Sequence, residues 1–166
     1  MSEAGEGFII RPATIAEVEA IAEIAALAWT PIYAHYAELQ RRLLGEAVFI
    51  RRPAQKAEEV REFCREHPGQ TLVTEVAGRI VGFLVYTLDR ERRCGIIGSN
   101  GVAPDQAGKG VGTSQCERVL ELFRQEGMHS AELITGLDDS HAPARRMYEK
   151  AGFVPVLPSV RYMRLL

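Results

Sequence analysis

Three glycines at alternate positions, Gly108, Gly110 and Gly112, follow Val102-Ala103-Pro104-Asp105-Gln106-Ala107 and open a stretch with helical spacing. Glycine removes the Cβ that would hold a ligand away from the backbone. A helix N-terminus adds unpaired N–H donors and a partial positive charge. The chemistry this arrangement serves is phosphate binding. A second group of chemically competent residues follows about thirty positions later, with Asp138 and Asp139, then His141, then Tyr148 on a short amphipathic stretch. Phenol holds its proton at neutral pH and can donate it, and imidazole can donate a hydrogen bond or titrate near neutrality. Carboxylates placed just before a helix can cap it.

Three readings of the glycines compete. A Walker A loop requires G-x-x-x-x-G-K-[ST], but Gly108-Lys109 is followed by Gly110 and the first position is Ala103. A dinucleotide fingerprint requires G-x-G-x-x-G, but the last position is Thr113 and the loop lies mid-chain. A plain glycine-rich cap of a helix is the third. The wider pattern separates them. V-x-P-x-x-x-G-x-G-[VIL]-G before an amphipathic helix, followed by Ala144-Arg145-Arg146-Met147-Tyr148-Glu149-Lys150-Ala151-Gly152-Phe153, resembles the GNAT family of N-acetyltransferases. The opening Ile10-Arg11-Pro12-Ala13-Thr14 is also similar to the family's start. The resemblance covers nearly the whole chain and is weakest between Thr30 and Gly69.

The resemblance implies an α/β fold of the acyl-CoA N-acyltransferase type. Such a fold has a mostly antiparallel twisted sheet, a central parallel splayed strand pair, and helices on both faces. It implies transfer of an acetyl group from acetyl-CoA, a cosubstrate, to a primary amine by direct attack, with no metal. On that basis Gly108, Lys109, Gly110, Val111, Gly112 and Thr113 wrap the pyrophosphate of acetyl-CoA, and Ser114 adds a hydroxyl. The pantetheine arm inserts beside Ser99–Val102, and a backbone N–H around Asn100–Val102 serves the oxyanion, which makes Asn100 and Val102 cofactor-binding residues. Tyr148 falls on the family's proton donor. A phenol titrates near ~10 and a thiol near ~8.5, so Tyr148 is protonated and available to the leaving thiolate.

Several positions depart from the family pattern. Ala107 stands where Gln or Arg is usual, with Gln106 one place earlier. His141 stands where Asn is frequent, and reads either as a substitute cofactor contact or as a solvent-facing residue at a helix N-terminus. Cys94–Val102 holds no carboxylate, so the usual strand Glu has no counterpart, and Glu75, Asp138 and Asp139 are base candidates by position only. The acceptor, a small-molecule or peptide amine, is expected between the first two helices and the sheet. Trp29, Tyr33, His35 and Tyr36 lie there and read first as core, and Glu38 could steer a cation. Arg51-Arg52, Arg90–Arg93 and Arg145-Arg146 read as solvated, with one available to the 3′-phosphate of CoA. A non-catalytic acyl-CoA-binding sensor or an interaction module on the same fold is the alternative. Ala107 and the missing strand carboxylate favour it, whereas Tyr148 speaks against it.

The positioning elements follow from periodicity. Residues 1–6 read as a disordered tail and 7–166 as one domain. Phe8–Arg11 reads as a strand, and Thr14 with Glu17 as a capping box. A helix runs to Trp29 and stops before Pro31, a second covers Ile32–Leu44, and a third covers Pro53–Glu66. Strand formers fill Thr71–Val76 and Ile80–Tyr86, joined as a hairpin by Ala77-Gly78-Arg79. Arg93–Val102 reads as a strand whose Gly95, Gly98 and Gly101 mark a bulge or a close approach. A helix after the glycines, a strand over Ser130–Thr135, a helix over Ser140–Lys150, and strands over Phe153–Val156 and Val160–Leu166 complete the order. Net charge is −2, which supplies no bulk attraction for nucleic acid or an anionic membrane. The three cysteines read as reduced thiols, Cys116 as buried filler, and the compartment as cytoplasmic. A homodimer is expected.

Overall fold

The computed structural model describes residues 7–46 and 48–166; the expected tail lies outside them. Five strands and four α-helices follow in the order β1 (Phe8–Pro12), α1 (Val18–Leu44), α2 (Pro53–Glu66), β2 (Thr71–Val76), β3 (Arg79–Asp89), β4 (Cys94–Val102), α3 (Val111–Gln125), β5 (Ser130–Glu132) and α4 (Ala142–Lys150). The strands lie side by side in chain order, antiparallel throughout except for the parallel β4–β5 pair. Helix α3 makes that one crossover, as a parallel neighbour requires. The fold is thus the α/β arrangement expected, a mixed sheet with helices on both faces.

Alternation along the inner strands builds two cores. Val73, Phe83 and Val85 face α1 and α2, where Val18, Ile21, Ile24, Ala25, Val60 and Cys64 meet them. Leu72, Leu84 and Tyr86, one residue out of phase, face the other way onto Cys116, Val119, Phe123 and Tyr148 of α3 and α4. A period of two sends neighbours to opposite faces, so each inner strand serves both cores. The hairpin between β2 and β3 is a two-residue turn at Ala77-Gly78, with both φ angles positive, 48° and 77°. That geometry matches the twist of the flanking strands.

Entry into α1 is fixed by Glu17, whose carboxylate accepts from the Thr14 N–H at 2.7 Å. Arg11 on β1 bridges Glu17 and Glu75, each at 2.6 Å, and ties the helix start to the sheet. The helix then continues through Pro31 as one 27-residue element, where two helices were expected. Proline removes one N–H and frees one carbonyl, that of Leu27. Leu27, Thr30 and Pro31 all lie on the exposed side, where the freed group faces solvent instead of the core.

The expected C-terminal strands do not form: residues 153–166 run without strand structure, and β5 ends at Glu132 rather than Thr135. Pro155 and Pro158 each delete a ladder donor, and a three-residue β5 offers little edge to extend. The parallel pair therefore stands at the sheet edge instead of its centre. The side chains of Val156 and Tyr162 are 87% and 90% exposed.

Two contacts position α3. Gln115, fully buried, donates from Nε2 to Thr74 Oγ1 on β2 at 2.9 Å. Thr74 pairs with Gly82 across the β2–β3 ladder, and a Cβ at Gly82 would sit 2.5 Å from Gln115 Nε2. Gly82 is thus the opening through which α3 reaches the sheet. Farther along, the Phe123 ring occupies the space a Cβ on Gly95 would need. The β4 glycines make room for protein packing: Gly98 faces Val85, and Gly101 faces Phe83 and Ala28.

Candidate active site

Strands β4 and β5 pair only over Cys94–Ile96 and Ser130–Glu132. Beyond Ile96, β4 has no strand neighbour on its β5 side among the described residues. The expected bulge is present: Leu84 pairs with Asn100 but Tyr86 with Ile97, which leaves one extra residue on β4. Ser99–Val102 therefore borders an open wedge.

The glycine loop stands at the end of that strand. A single 3-10 turn over Pro104–Gln106 leads into it, and α3 begins at Val111 with Gly110 as N-cap, φ 84°. Gly108 has φ 77°, and nothing lies within 4 Å of a Cβ built on either residue. The α3 ladder starts with Ser114 N–H to Gly110 O at 3.0 Å. Among the described residues, the N–H groups of Gly108, Gly110, Val111, Gly112 and Thr113 have no protein acceptor. Lys109 differs from its neighbours: its N–H turns back to Gln106 O, and its Nζ reaches Gln106 Oε1 at 3.3 Å. Five free donors, left-handed glycines and open space in front of them fit a phosphate-bearing ligand.

Helix α4 joins the loop and the wedge. Met147 Sδ lies 2.9 Å from where a Cβ on Gly112 would stand, so α4 packs on the first turn of α3. The next residue, Tyr148, is 6% exposed and donates its hydroxyl to Asn100 Oδ1 on β4 at 2.9 Å. Its ring meets Phe153 edge-on at 6.0 Å. Burial, helped by the nearby Cys116, pushes the Tyr148 hydroxyl up to about 12, although the Asn100 bond pulls the other way. The phenol is protonated throughout the neutral range.

A polar cluster lies beyond the end of β5. Asp138 Oδ2 and His141 Nδ1 are 2.9 Å apart. Asp138 also accepts from the Ser140 N–H at 3.1 Å, from the Ser140 hydroxyl, and from the Tyr36 hydroxyl of α1 at 3.3 Å. Burial alone would raise the Asp138 carboxyl, but the donors at Ser140 and His141 prevail and hold it at about 2. Arg145 donates to the carbonyls of Gly136 and Asp138, each at 2.7 Å. A cavity of about 510 Å³ opens beside the cluster, between the second half of α1, residues 134–138 and residues 159–163.

The family model described as Acetyltransferase (GNAT) family matches residues 21–153. The chain belongs to the GNAT acetyltransferase family. Among relatives of this GNAT protein, the L-2,4-diaminobutyric acid acetyltransferase of Nocardia farcinica is 32% identical over 78 residues. That match spans 46% of this chain and 40% of the relative, less than half of either. Among solved structures, Ard1 from Thermoplasma volcanium superposes with a TM-score of 0.64 at 24% identity, covering 91% of this chain and 85% of its own. The PaiA N-acetyltransferase of Thermoplasma acidophilum, solved in complex with coenzyme A, gives 0.63 at 15% identity, covering 87% of each chain. At these identities the two structures show a shared fold.

Other positions singled out in this GNAT sequence fall as follows. Glu75 is engaged by Arg11, away from the wedge. Arg145 holds loop carbonyls instead of being solvated, and Arg90 and Arg92 pair with Glu126 and with Asp89 and Glu132. Trp29 lies under Lys56, whose Nζ is 4.7 Å from the ring centroid, and Tyr33 is buried with Arg51 over it. Tyr36 alone of the four expected aromatic positions reaches the polar cluster. Cys116 is fully buried, and burial pushes its thiol up to about 11. No helix among the described residues is long and apolar enough to cross a membrane.

Proposed function

We propose that this protein is an acetyl-CoA-dependent N-acetyltransferase acting on a small-molecule or peptide primary amine. The observation that carries the reading is the Tyr148 hydroxyl, held by Asn100 on the open side of β4 and one residue from the contact between α4 and the glycine loop. Acetyl-CoA supplies an acetyl group on a thioester sulfur; the neutral amine nitrogen bonds to the carbonyl carbon, the carbon–sulfur bond breaks, and the proton lost from nitrogen passes to water. The free N–H groups of Gly108, Gly110, Val111, Gly112 and Thr113 bind the pyrophosphate at the positive end of α3. Backbone donors around Asn100–Val102 receive the charge that develops on the carbonyl oxygen. Tyr148 is protonated across the neutral range and stands as the proton donor to the departing sulfur. Lys109, with its N–H turned inward, contributes charge and not a backbone contact.

Calorimetry with acetyl-CoA and thiol-release assays over a panel of amines test this. The panel holds L-2,4-diaminobutyrate, n-hexylamine, peptides with free N-termini and lysine peptides. Acetyl-CoA at a hundred times its Kd should stabilise the fold by about 2.7 kcal/mol, and at least one amine should release CoA. Binding without turnover of any amine would leave the sensor reading in its place, and absence of binding would end both.

A further inference from the structure

We propose that the Asn100 side chain is a turning amide that serves Tyr148: Oδ1 accepts from the phenol before proton transfer, and Nδ2 donates to the phenolate after it. The inference rests on the function proposed above and adds to it a residue that positions the proton donor.

Placement comes first. Asn100 pairs with Leu84 across the β3–β4 ladder, and directly opposed residues share a face of the sheet. Leu84 lies in the core that α3 and α4 cover, with Tyr148. Gly101, next along β4, faces Phe83 and Ala28 on the other side. Asn100 therefore sets an amide, half-buried, on an apolar face. An amide there needs a partner, and the Tyr148 hydroxyl, 2.9 Å from Oδ1, is the one it has. The dependence is mutual, since the hydroxyl has no other hydrogen-bond partner among the described residues.

The other end of the amide supplies the second observation. Nδ2 has no acceptor among the described residues, yet it is not sealed from solvent. The terminal torsion of asparagine is broad and two-fold, so an amide whose nitrogen nothing holds can exchange its two ends. Proton transfer makes that exchange necessary. The Oη–H bond of Tyr148 breaks and the proton joins the thiolate sulfur, which leaves a phenolate facing Oδ1, an acceptor facing an anion. A half turn of the amide replaces that repulsion with an Nδ2–H donor. A hydrogen bond to an ion is about twice as strong as one between neutral groups. CoA departs as the thiol, the phenolate takes a proton from water, and the amide turns back.

Magnitudes show what the turn contributes. The Tyr148 hydroxyl titrates at about 12 and a thiol near ~8.5, so the transfer is uphill by a factor on the order of a thousand. A donor at Oη favours the phenolate and reduces that factor. Burial and the neighbouring Cys116 of α3 act in the opposite sense. On α4 itself, Arg145 is taken up by the carbonyls of Gly136 and Asp138, and Glu149 is exposed.

The test reads the direction of a titration. Difluorotyrosine at position 148 carries a more acidic phenol, and fluorine NMR follows its ionisation. Asn100→Leu removes both ends of the amide at nearly the same size, and should raise the midpoint by at least one pH unit. An amide that only accepted would hold the phenol form, so its loss would lower the midpoint; a fall, or no change, would overturn the proposal. Thiol release from acetyl-CoA, with the amine of the panel that reacts fastest, gives a second reading. Asn100→Leu should lower kcat at least tenfold, with acetyl-CoA affinity within threefold of wild type by calorimetry. In a Tyr148→Phe background the same substitution should cost less than twofold. A further tenfold loss there would mean that Asn100 acts on the ligand directly, which would also overturn the proposal. Thermal melts check folding, and Asn100→Val, smaller and suited to a strand, carries the same readings should Leu not be accommodated. If no amine releases CoA, the proposed function fails, whereas the fluorine midpoint still decides how the amide bonds.

Discussion

Replacing Tyr148 by Phe keeps the ring and removes one hydroxyl, so structural and chemical effects can be read apart. The lost bond to Asn100 measures 2.9 Å in a site that is 6% exposed. A buried hydrogen bond is worth about 1 kcal/mol net, rising toward ~3 when its partner is left unsatisfied. For a chain of this size, each kcal/mol should lower Tm by roughly 2–4 °C. The hydroxyl titrates at about 12 in the fold against an ordinary 10. The raised value means the native state keeps its proton while the unfolded chain has lost it. Stability is therefore intact below pH 10 and declines as pH rises toward 12. At about 1.4 kcal/mol per pH unit, the interval amounts to about 3 kcal/mol, and it should be absent from the variant. The chemical effect is larger. Loss of a positioned proton donor costs about 100- to 10,000-fold in turnover, or ~3–5 kcal/mol of barrier. Tyr148→Phe should thus show a kcat lower by at least 100-fold, an acetyl-CoA affinity within threefold of wild type, and a flatter alkaline melting profile. Wild-type kcat in this variant would refute the proton-donor role, and a fall in kcat matched by the fall in affinity would reduce Tyr148 to packing.

Gly110→Ala places a side chain at φ 84°, a conformation that costs about 1–2 kcal/mol; Tm should drop a few degrees and calorimetry should show acetyl-CoA binding at least tenfold weaker. Gly95→Ala drives a Cβ into the Phe123 ring, and denaturant titration should show a loss of about 1–3 kcal/mol, partly recovered by adding Phe123→Leu. Thr74→Val strips the acceptor from Gln115 Nε2 in the core, a loss of about 1–3 kcal/mol by urea unfolding that Thr74→Ser should avoid. The Arg11 hydrogen bond holds the Glu17 carboxyl at about 2 against an ordinary 4.5, burial opposing it. Its contribution is present above pH 4.5 and disappears as pH falls through 2, so Glu17→Gln should flatten the acid limb of a Tm-versus-pH curve.

The glycine loop was legible because its requirement is for backbone, and backbone requirements are written in glycine positions. The two-faced sheet was legible for a similar reason: Leu72-Val73 and Phe83-Leu84 are apolar on both phases, so neither phase can face water. Pro31 misled because a proline costs a helix one donor and one acceptor, and the cost depends on whether the freed carbonyl meets solvent, which only the packing reveals. Strands were expected over Phe153–Val156 and Val160–Leu166, where Val and Tyr favour extended backbone, but propensity cannot supply a partner edge. The pairing of Asp138 with His141 had a signal in its three-residue spacing, but the same spacing suits an ordinary helix cap. Gln115 gave no signal at all, since its partner follows from the register that sets Thr74 opposite Gly82.

That buried amide has a bearing on how the loop behaves. Gln115 lies one turn inside α3, and its hydrogen bond to Thr74 ties the head of the helix to the middle of β2. Hydrogen exchange at the β2 amides, beneath the surface and away from any ligand, is therefore where occupancy of the loop should register.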